Sequence, residues 1–148
     1  MKTARSFALE PESVGAARRF ATEALSNTPP EVLEAVELMV SELATNCIRH
    51  ANTPFDLQVA RARGEIRVEV TDRAGGTPVM RSPRPDDPTG RGLRIVNMLA
   101  AAWGVLHRTA SGTTVWFMVR TPSTGERVCS RGQHAAHRDR SGRCGSPQ

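Results

Sequence analysis

The chain has 148 residues, of which 39% are hydrophobic and 24% charged, a composition typical of one globular domain. No apolar run approaches the roughly 20 residues that a membrane-spanning helix needs. No signal-peptide apolar segment follows the first residues, so we expect a cytoplasmic protein with no membrane partner. The three cysteines are scattered, which argues against a disulfide framework and against a zinc knuckle.

The formal net charge of +5 raises the question of nucleic-acid binding. Most of this charge lies in residues 125–148, which contain five Arg and two acidic residues. No aromatic residue is present there to stack on bases, so direct nucleic-acid binding is not expected. We predict one domain over residues 1–122 and a disordered, Arg-rich tail over residues 123–148.

The first part of the chain is predicted to contain a strand and two helices. The strand covers residues 5–9, and the first helix runs from about Glu12 to Leu25. Thr28 is the predicted N-cap of the second helix, which ends near His50. Residues of this second helix recur at three- and four-residue steps and form one apolar stripe, namely Leu33, Val36, Val40, Leu43 and Cys47.

Glu42 and Asn46 lie four residues apart in the second helix and therefore share one of its faces. That face is offset from the apolar stripe by roughly a third of a turn. A carboxylate and a carboxamide at the border of the core can bind a hard metal ion and handle a proton. Taken alone, such a pair more often consists of ordinary solvated helix residues than of site residues. The later segments of the chain shift this comparison towards a functional site.

Residues 55–61 and 65–72 alternate between apolar and polar side chains, which predicts two strands. Arg63 and Gly64 supply the turn of an antiparallel hairpin. One apolar and one polar face indicate a sheet that helices cover on one side only. Glycines and prolines, Pro88 among them, predict an irregular loop over residues 74–89.

The last elements of the domain are a helix that starts at Gly90 and two strands. Gly104 either ends this helix or begins the next strand. The strands cover residues 105–109 and 113–119, and residues 110–112 form their hairpin turn.

Three segments carry candidate chemistry, and each also has a plain structural explanation. Asp72 ends a strand before Gly75 and Gly76, where a carboxylate can accept a hydrogen bond from an exocyclic amine. The segment Gly90-Arg91-Gly92-Leu93 precedes a helix, and a helix N-terminus suits phosphate. Gly112-Thr113-Thr114 opens the last strand. The alternative for the Asp72 segment is an ordinary turn, and the alternative for the Gly90 segment is a flexible helix start. The alternative for the Gly112 segment is a plain hairpin.

In their order and spacing, these segments resemble the GHKL ATPase superfamily over about residues 5–120. Within it the chain is most similar to the anti-sigma-factor serine/threonine kinases and related stand-alone ATP-binding regulators of bacteria. The matching residues are Glu42 and Asn46 in the N box, Asp72, Gly75 and Gly76 in the G1 box, Gly90, Arg91, Gly92 and Leu93 in the G2 box, and Gly112, Thr113 and Thr114 in the last box.

The resemblance implies an α/β two-layer sandwich of the Bergerat type, with a mixed, mostly antiparallel sheet and three helices on one face. It implies ATP and Mg²⁺ as cofactors, with Asp72 reading the adenine amine and Asn46 holding Mg²⁺. The glycines and Arg91 of the G2 box would hold the phosphates, and Thr113 and Thr114 would complete the nucleotide site. Glu42 would be the general base.

The same resemblance implies an anti-anti-sigma regulator and a sigma factor as partners, and a homodimer as the assembly. The superfamily pattern has a glycine two residues after the Asp, where this chain has Ala74. Gly75 and Gly76 would replace it if the turn shifts by one residue. This departure favours a second hypothesis, in which the protein is a nucleotide-binding switch without turnover.

Overall fold

A computed structural model of the protein describes residues 1–73, 88–108 and 112–122, and gives the backbone alone for residues 88–92, 107 and 108. Its strands are β1 (Lys2–Phe7), β2 (Phe55–Ala62), β3 (Glu65–Asp72), β4 (Ala102–Arg108) and β5 (Gly112–Arg120). Its helices are α1 (Glu12–Ala24), α2 (Pro30–Asn46) and α3 (Pro88–Leu99), and a π-helical turn, Cys47–Ala51, follows α2.

The strands form one sheet in the order β1-β2-β3-β5-β4. All four pairings between described strands are antiparallel, so the sheet is antiparallel throughout this part of the chain. The hairpin between β2 and β3 turns at Arg63 and Gly64, whose φ angles of 51° and 76° suit a tight two-residue turn. This hairpin is as the sequence predicts.

One face of the sheet carries the core and the other is polar, because side chains alternate along each strand. The core face contains Leu57, Val59, Ile66, Val68 and Phe117, all of which are fully buried. On the outer face, the guanidinium of Arg67 lies 4.1 Å from the centroid of the Trp116 ring and its Nε donates to Glu69 Oε1 over 2.7 Å.

The helices pack side by side against the core face, with α2 between α1 and α3. The apolar stripe of α2 is confirmed, since Val36, Val40, Leu43 and Cys47 are buried while Leu33 packs at the edge of the core. The predicted α/β sandwich with three helices on one face is therefore confirmed. In the described segments, no helix is both long and apolar enough to cross a membrane.

The prediction for the first strand is wrong in its bounds, and the predicted cap of α2 is wrong in its partner. β1 ends at Phe7 because the carbonyl of Ala8 accepts a hydrogen bond of 2.7 Å from Ser13 Oγ, at the start of α1. Thr28 makes no cap bond to α2. Its hydroxyl accepts a hydrogen bond of 3.2 Å from Arg61 Nη1 on β2.

Two helix boundaries also differ from the sequence prediction. The α-helical part of α2 ends at Asn46, and the π-helical turn continues to Ala51. α3 begins at Pro88 and not at Gly90, because proline suits the first helical position, where no intrahelical N–H bond is needed.

β4 begins three residues before the predicted strand and includes Gly104. A Cβ atom at Gly104 would lie only 2.8 Å from Nε1 of Trp116, so the glycine leaves room for the indole against the sheet. The predicted turn covers residues 110–112, but Gly112 belongs to β5. The predicted loop residues 74–87, the last residue of the predicted strand, 109, the predicted turn residues 110 and 111, and the predicted tail 123–148 lie outside the described residues.

Candidate functional site

The helix α2 presents Glu42 and Asn46 on one face, and both side chains are half-buried. Ser41 and Thr45 flank them and turn their hydroxyls to backbone carbonyls one helical turn earlier, at 2.8 and 2.7 Å. Those hydroxyls are therefore occupied within the helix. Asn46 is the last α-helical residue, so its carboxamide lies at the end of the helix.

The π-helical turn links this end of α2 to the end of β3. The backbone N–H of Thr53 donates to the carbonyl of Cys47 over 3.2 Å. The hydroxyl of Thr53 then accepts a hydrogen bond of 3.2 Å from the backbone N–H of Arg73, the residue after β3. Two short contacts thus join the segment that carries Asn46 to the segment that carries Asp72. Single π-helical turns are frequent at functional sites.

Asp72 is half-buried and lies on the core face of the sheet, because it pairs with buried Phe55 across β2 and β3. Its Oδ1 accepts a hydrogen bond of 3.1 Å from the backbone N–H of Thr113 on β5. Burial, and to a smaller extent the nearby Asp72 carboxylate, raises the pKa of the Cys47 thiol to about 12.

Gly112 makes the contact between β3 and β5 possible. Its φ of +99° is a conformation that glycine adopts readily and other residues rarely do. A Cβ atom there would collide with the backbone carbonyl of Asp72. The sequence places Gly112 in a turn and in the last motif, but it does not predict this close approach to Asp72. The sequence signal for this close approach is the position of the glycine directly before Thr113.

The two threonines of the last motif face opposite sides of the sheet. Thr113 follows the core-face alternation and lies beside Asp72. Thr114 is buried on the other face, where its hydroxyl shares a hydrogen bond of 2.8 Å with Thr71. The structure therefore brings Thr113, but not the side chain of Thr114, to Asp72. Gln58 lies on the same outer face, where its Nε2 donates a hydrogen bond of 3.4 Å to Oε2 of Glu69.

Because α3 begins at Pro88, Gly90 lies in its first turn, whereas Gly92 lies in the second turn, where backbone N–H groups bond within the helix. Arg91 lies between them. The backbone N–H groups of a first helical turn have no partner within the helix, which suits an anion. Leu93 is half-buried and packs against the core. Gly75 and Gly76 lie outside the described residues, so their predicted role stays a prediction.

Within residues 1–73, 88–108 and 112–122, no three His, Cys, Asp or Glu side chains are grouped so that they could hold a metal ion. The oxygen donors at the end of α2 are the carboxylate of Glu42 and the carboxamide of Asn46. Mg²⁺ is commonly held by one or two protein oxygens together with phosphates and water, so this donor set fits that ion when a nucleotide supplies the phosphates.

A comparison of the sequence with protein-family models shows the family to which the chain belongs. Residues 7–119 match the family model of the histidine kinase-like ATPase domain, which is more than half of the chain. The chain belongs to the histidine kinase-like ATPase domain family. The match spans the described segments that carry Glu42, Asn46, Asp72 and Thr113, so the candidate site lies within the family domain.

A comparison with solved structures agrees on the fold. The crystal structure of the RsbU and RsbW domains of Rv1364c from Mycobacterium tuberculosis matches with a TM-score of 0.63 and 18% sequence identity. The match covers 82% of this histidine kinase-like domain protein and 32% of the other chain. At this identity the likeness concerns the fold. A comparison with curated protein sequences gives no significant match.

Proposed function

We propose that this protein is a cytoplasmic ATP-binding regulator that acts as an anti-sigma-factor serine/threonine kinase. It would phosphorylate an anti-anti-sigma partner and bind a sigma factor. The observation that carries the proposal is the convergence of two segments. The end of α2, with Glu42 and Asn46, is linked through Thr53 to the end of β3, where the N–H of Thr113 holds Asp72. Family membership supports nucleotide binding at this place.

The adenine would be recognised by Asp72. A carboxylate only accepts hydrogen bonds, so it selects the exocyclic amine of adenine over the carbonyl oxygen of guanine. The N–H of Thr113 holds Oδ1, which orients the carboxylate before the base arrives. Such preorganisation raises affinity because less freedom is lost on binding. Gly75 and Gly76 would let the base approach the backbone.

The phosphates would be held where α3 begins. The backbone N–H of Gly90, in the first turn of α3, and the positive end of the helix dipole favour negative charge there. Arg91 would add a positive charge. Asn46 would hold Mg²⁺, which supplies charge neutralisation between the phosphates when it is bound.

Glu42 would act as the general base. Its carboxylate would accept the proton of a partner's serine or threonine hydroxyl as the hydroxyl oxygen attacks the γ-phosphorus. The bond from the γ-phosphorus to the β,γ-bridging oxygen breaks, and ADP leaves. Half-burial of Glu42 allows it to face both a ligand and a protein substrate.

The test combines calorimetric titration of ATP, with and without Mg²⁺, and phosphotransfer from radiolabelled ATP to candidate anti-anti-sigma proteins. The Glu42→Gln variant should bind ATP like the parent and lose phosphotransfer by about 100-fold or more. Glu34→Gln is the control, because Glu34 is an exposed acid on the same helix. If the parent binds no ATP, the proposal is wrong.

A nucleotide-binding switch without turnover is the second candidate, and Ala74 is the observation that favours it. In that case ATP would shift the population of partner-binding conformations and no phosphate would move. Partner binding in the presence of ATP separates the two functions. A switch keeps its ATP-dependent partner binding in the Glu42→Gln variant, and no phosphorylated partner forms with the parent.

The partners and the assembly rest on the resemblance to anti-sigma-factor kinases, with which the match to a structure containing an RsbW domain agrees. A sigma factor, an anti-anti-sigma regulator and a second copy of this chain are proposed on this ground. Analytical ultracentrifugation of the purified protein, alone and with each candidate partner, tests them. A monomer that binds neither class of protein would contradict these assignments.

A further inference from the structure

Arg73, the residue directly after Asp72, is held by side chains from two other strands. Its Nη2 donates to Asp56 Oδ1 on β2 over 2.7 Å and to Ser6 Oγ on β1 over 3.1 Å, and its Nε lies 3.4 Å from Asp56 Oδ2. Ser6 also donates to Asp56 Oδ1 over 2.5 Å. We call these three residues the Arg73 clamp. Its members come from three separate parts of the sequence, so the contact is a product of the fold.

The Arg73 clamp lies on the opposite face of the sheet from the carboxylate of Asp72. Ser6 pairs with Asp56, and Asp56 pairs with Thr71, so these residues form one row on the outer face. The next row contains Phe7, Phe55 and Asp72 and lies on the core face. Because alternate residues face opposite sides, a fixed side chain at Arg73 restrains the backbone rotation of the residue before it.

We propose that Arg73 is a positioning residue that, through Asp56 and Ser6, fixes the Asp72 carboxylate in the orientation that recognises the nucleotide base. This inference rests on the proposed function. Asp72 is then restrained from two directions. The N–H of Thr113 holds its side chain from β5, and the clamp holds the backbone beyond it from β2 and β1.

A role in positioning differs from a role in overall stability. The side chains of Arg73 and Asp56 are 52% and 42% exposed, and exposed ion pairs contribute little to global stability. The end of a strand, however, opens locally at a small free-energy cost. An exposed clamp can therefore change the population of the ordered strand end while it leaves the unfolding midpoint almost unchanged.

The first measurement is the affinity for the nucleotide probe Mg-ADP by calorimetry. Arg73→Gln and Asp56→Asn should each weaken binding by about 3- to 10-fold. The double variant should bind with about the same affinity as either single variant, because both substitutions remove the same interaction. Arg73→Lys should fall between Arg73→Gln and the parent, because it keeps one charged contact. The thermal midpoint of each variant should stay within about 3 °C of the parent.

Glu69→Gln is the matched control. Glu69 accepts a hydrogen bond of 2.7 Å from Arg67 on the same outer face, but within β3 and away from its end. The same acid-to-amide change at this ion pair should leave the affinity for Mg-ADP unchanged. Single clamp variants that bind within twofold of the parent, or effects that add in the double variant, would overturn the proposal.

Hydrogen exchange at the amide of Thr113 provides a readout that needs no nucleotide. This N–H bonds to Oδ1 of Asp72, so its exchange rate reports how well the carboxylate is held. Asp56→Asn should speed its exchange by about tenfold, and Glu69→Gln should not. An unchanged rate in Asp56→Asn overturns the clamp. A parent protein that binds no nucleotide overturns the proposed function instead, and the exchange rates then decide on the clamp alone.

Discussion

The backbone N–H of Thr113 donates a hydrogen bond to Oδ1 of Asp72 across 3.1 Å, and this contact joins the start of β5 to the end of β3. Forty-one positions separate the two residues in the chain. The bond fixes one oxygen of the Asp72 carboxylate relative to the backbone of β5. It makes the pairing of β3 with β5 part of the candidate site.

Asp72→Asn should weaken ATP binding by about 10- to 100-fold, as expected for the loss of a hydrogen bond to a charged acceptor. If the amide oxygen keeps the bond to the Thr113 N–H, the NH₂ group replaces the second carboxylate oxygen and opposes the amine of adenine. Calorimetry measures the affinity. Glu65→Gln, an exposed acid at the other end of β3, should bind like the parent. An unchanged affinity in Asp72→Asn would remove Asp72 from the site.

Gly112→Ala should destabilise the fold by about 1–3 kcal/mol and also weaken nucleotide binding. The added Cβ atom would collide with the carbonyl of Asp72, so β5 must move away from β3. Gly64→Ala is the control, since Gly64 also has a positive φ, of 76°, but its Cβ atom would meet nothing nearer than 3.6 Å. That variant should lose stability and keep its affinity. Thermal unfolding and ATP titration are measured together, and equal affinity in both variants would contradict the expectation.

Thr53→Val should lower nucleotide affinity by a few-fold, with a stability loss of about 0.5–1.5 kcal/mol. Valine keeps the branched shape but cannot accept the hydrogen bond from the N–H of Arg73, which links the π-helical turn to the end of β3. Thr53→Ser keeps the acceptor and should restore most of the affinity. A serine variant as weak as the valine variant would show that this hydrogen bond does not matter for binding.

The free energy of unfolding should fall as the pH rises from about 9 towards 12, and Cys47 should contribute to that fall. Its thiol has an ordinary pKa of 9.0, which the fold raises to about 12. In this window the unfolded chain loses the proton while the folded protein keeps it, so the unfolded state gains stability. Chemical unfolding of the parent and of Cys47→Ala at several pH values tests this. A parallel pH dependence in the two proteins would contradict the assignment to Cys47.

The sequence by itself determined the secondary-structure elements that depend only on neighbouring residues. Alternation between apolar and polar residues predicted β2 and β3, and Arg63-Gly64 predicted their turn, because a tight hairpin needs residues that accept positive φ. Helical spacing predicted the buried stripe of α2 and placed Glu42 and Asn46 on one face. The sequence also indicated the family, because the family's motifs are short runs of residues in a fixed order.

The tertiary structure decided everything that depends on which strands and helices meet. The order of the sheet puts β5 beside β3, and only then does Thr113 reach Asp72 while Thr114 turns to Thr71 on the other face. By its local preference Pro88 predicts a loop, whereas in the fold it occupies the first position of α3, where no intrahelical N–H bond is needed.

The contact of Arg73 with Asp56 and Ser6 has no local signal at all. Local patterns report the backbone preferences of neighbouring residues, whereas contacts between distant residues exist only after the chain has packed into one sheet.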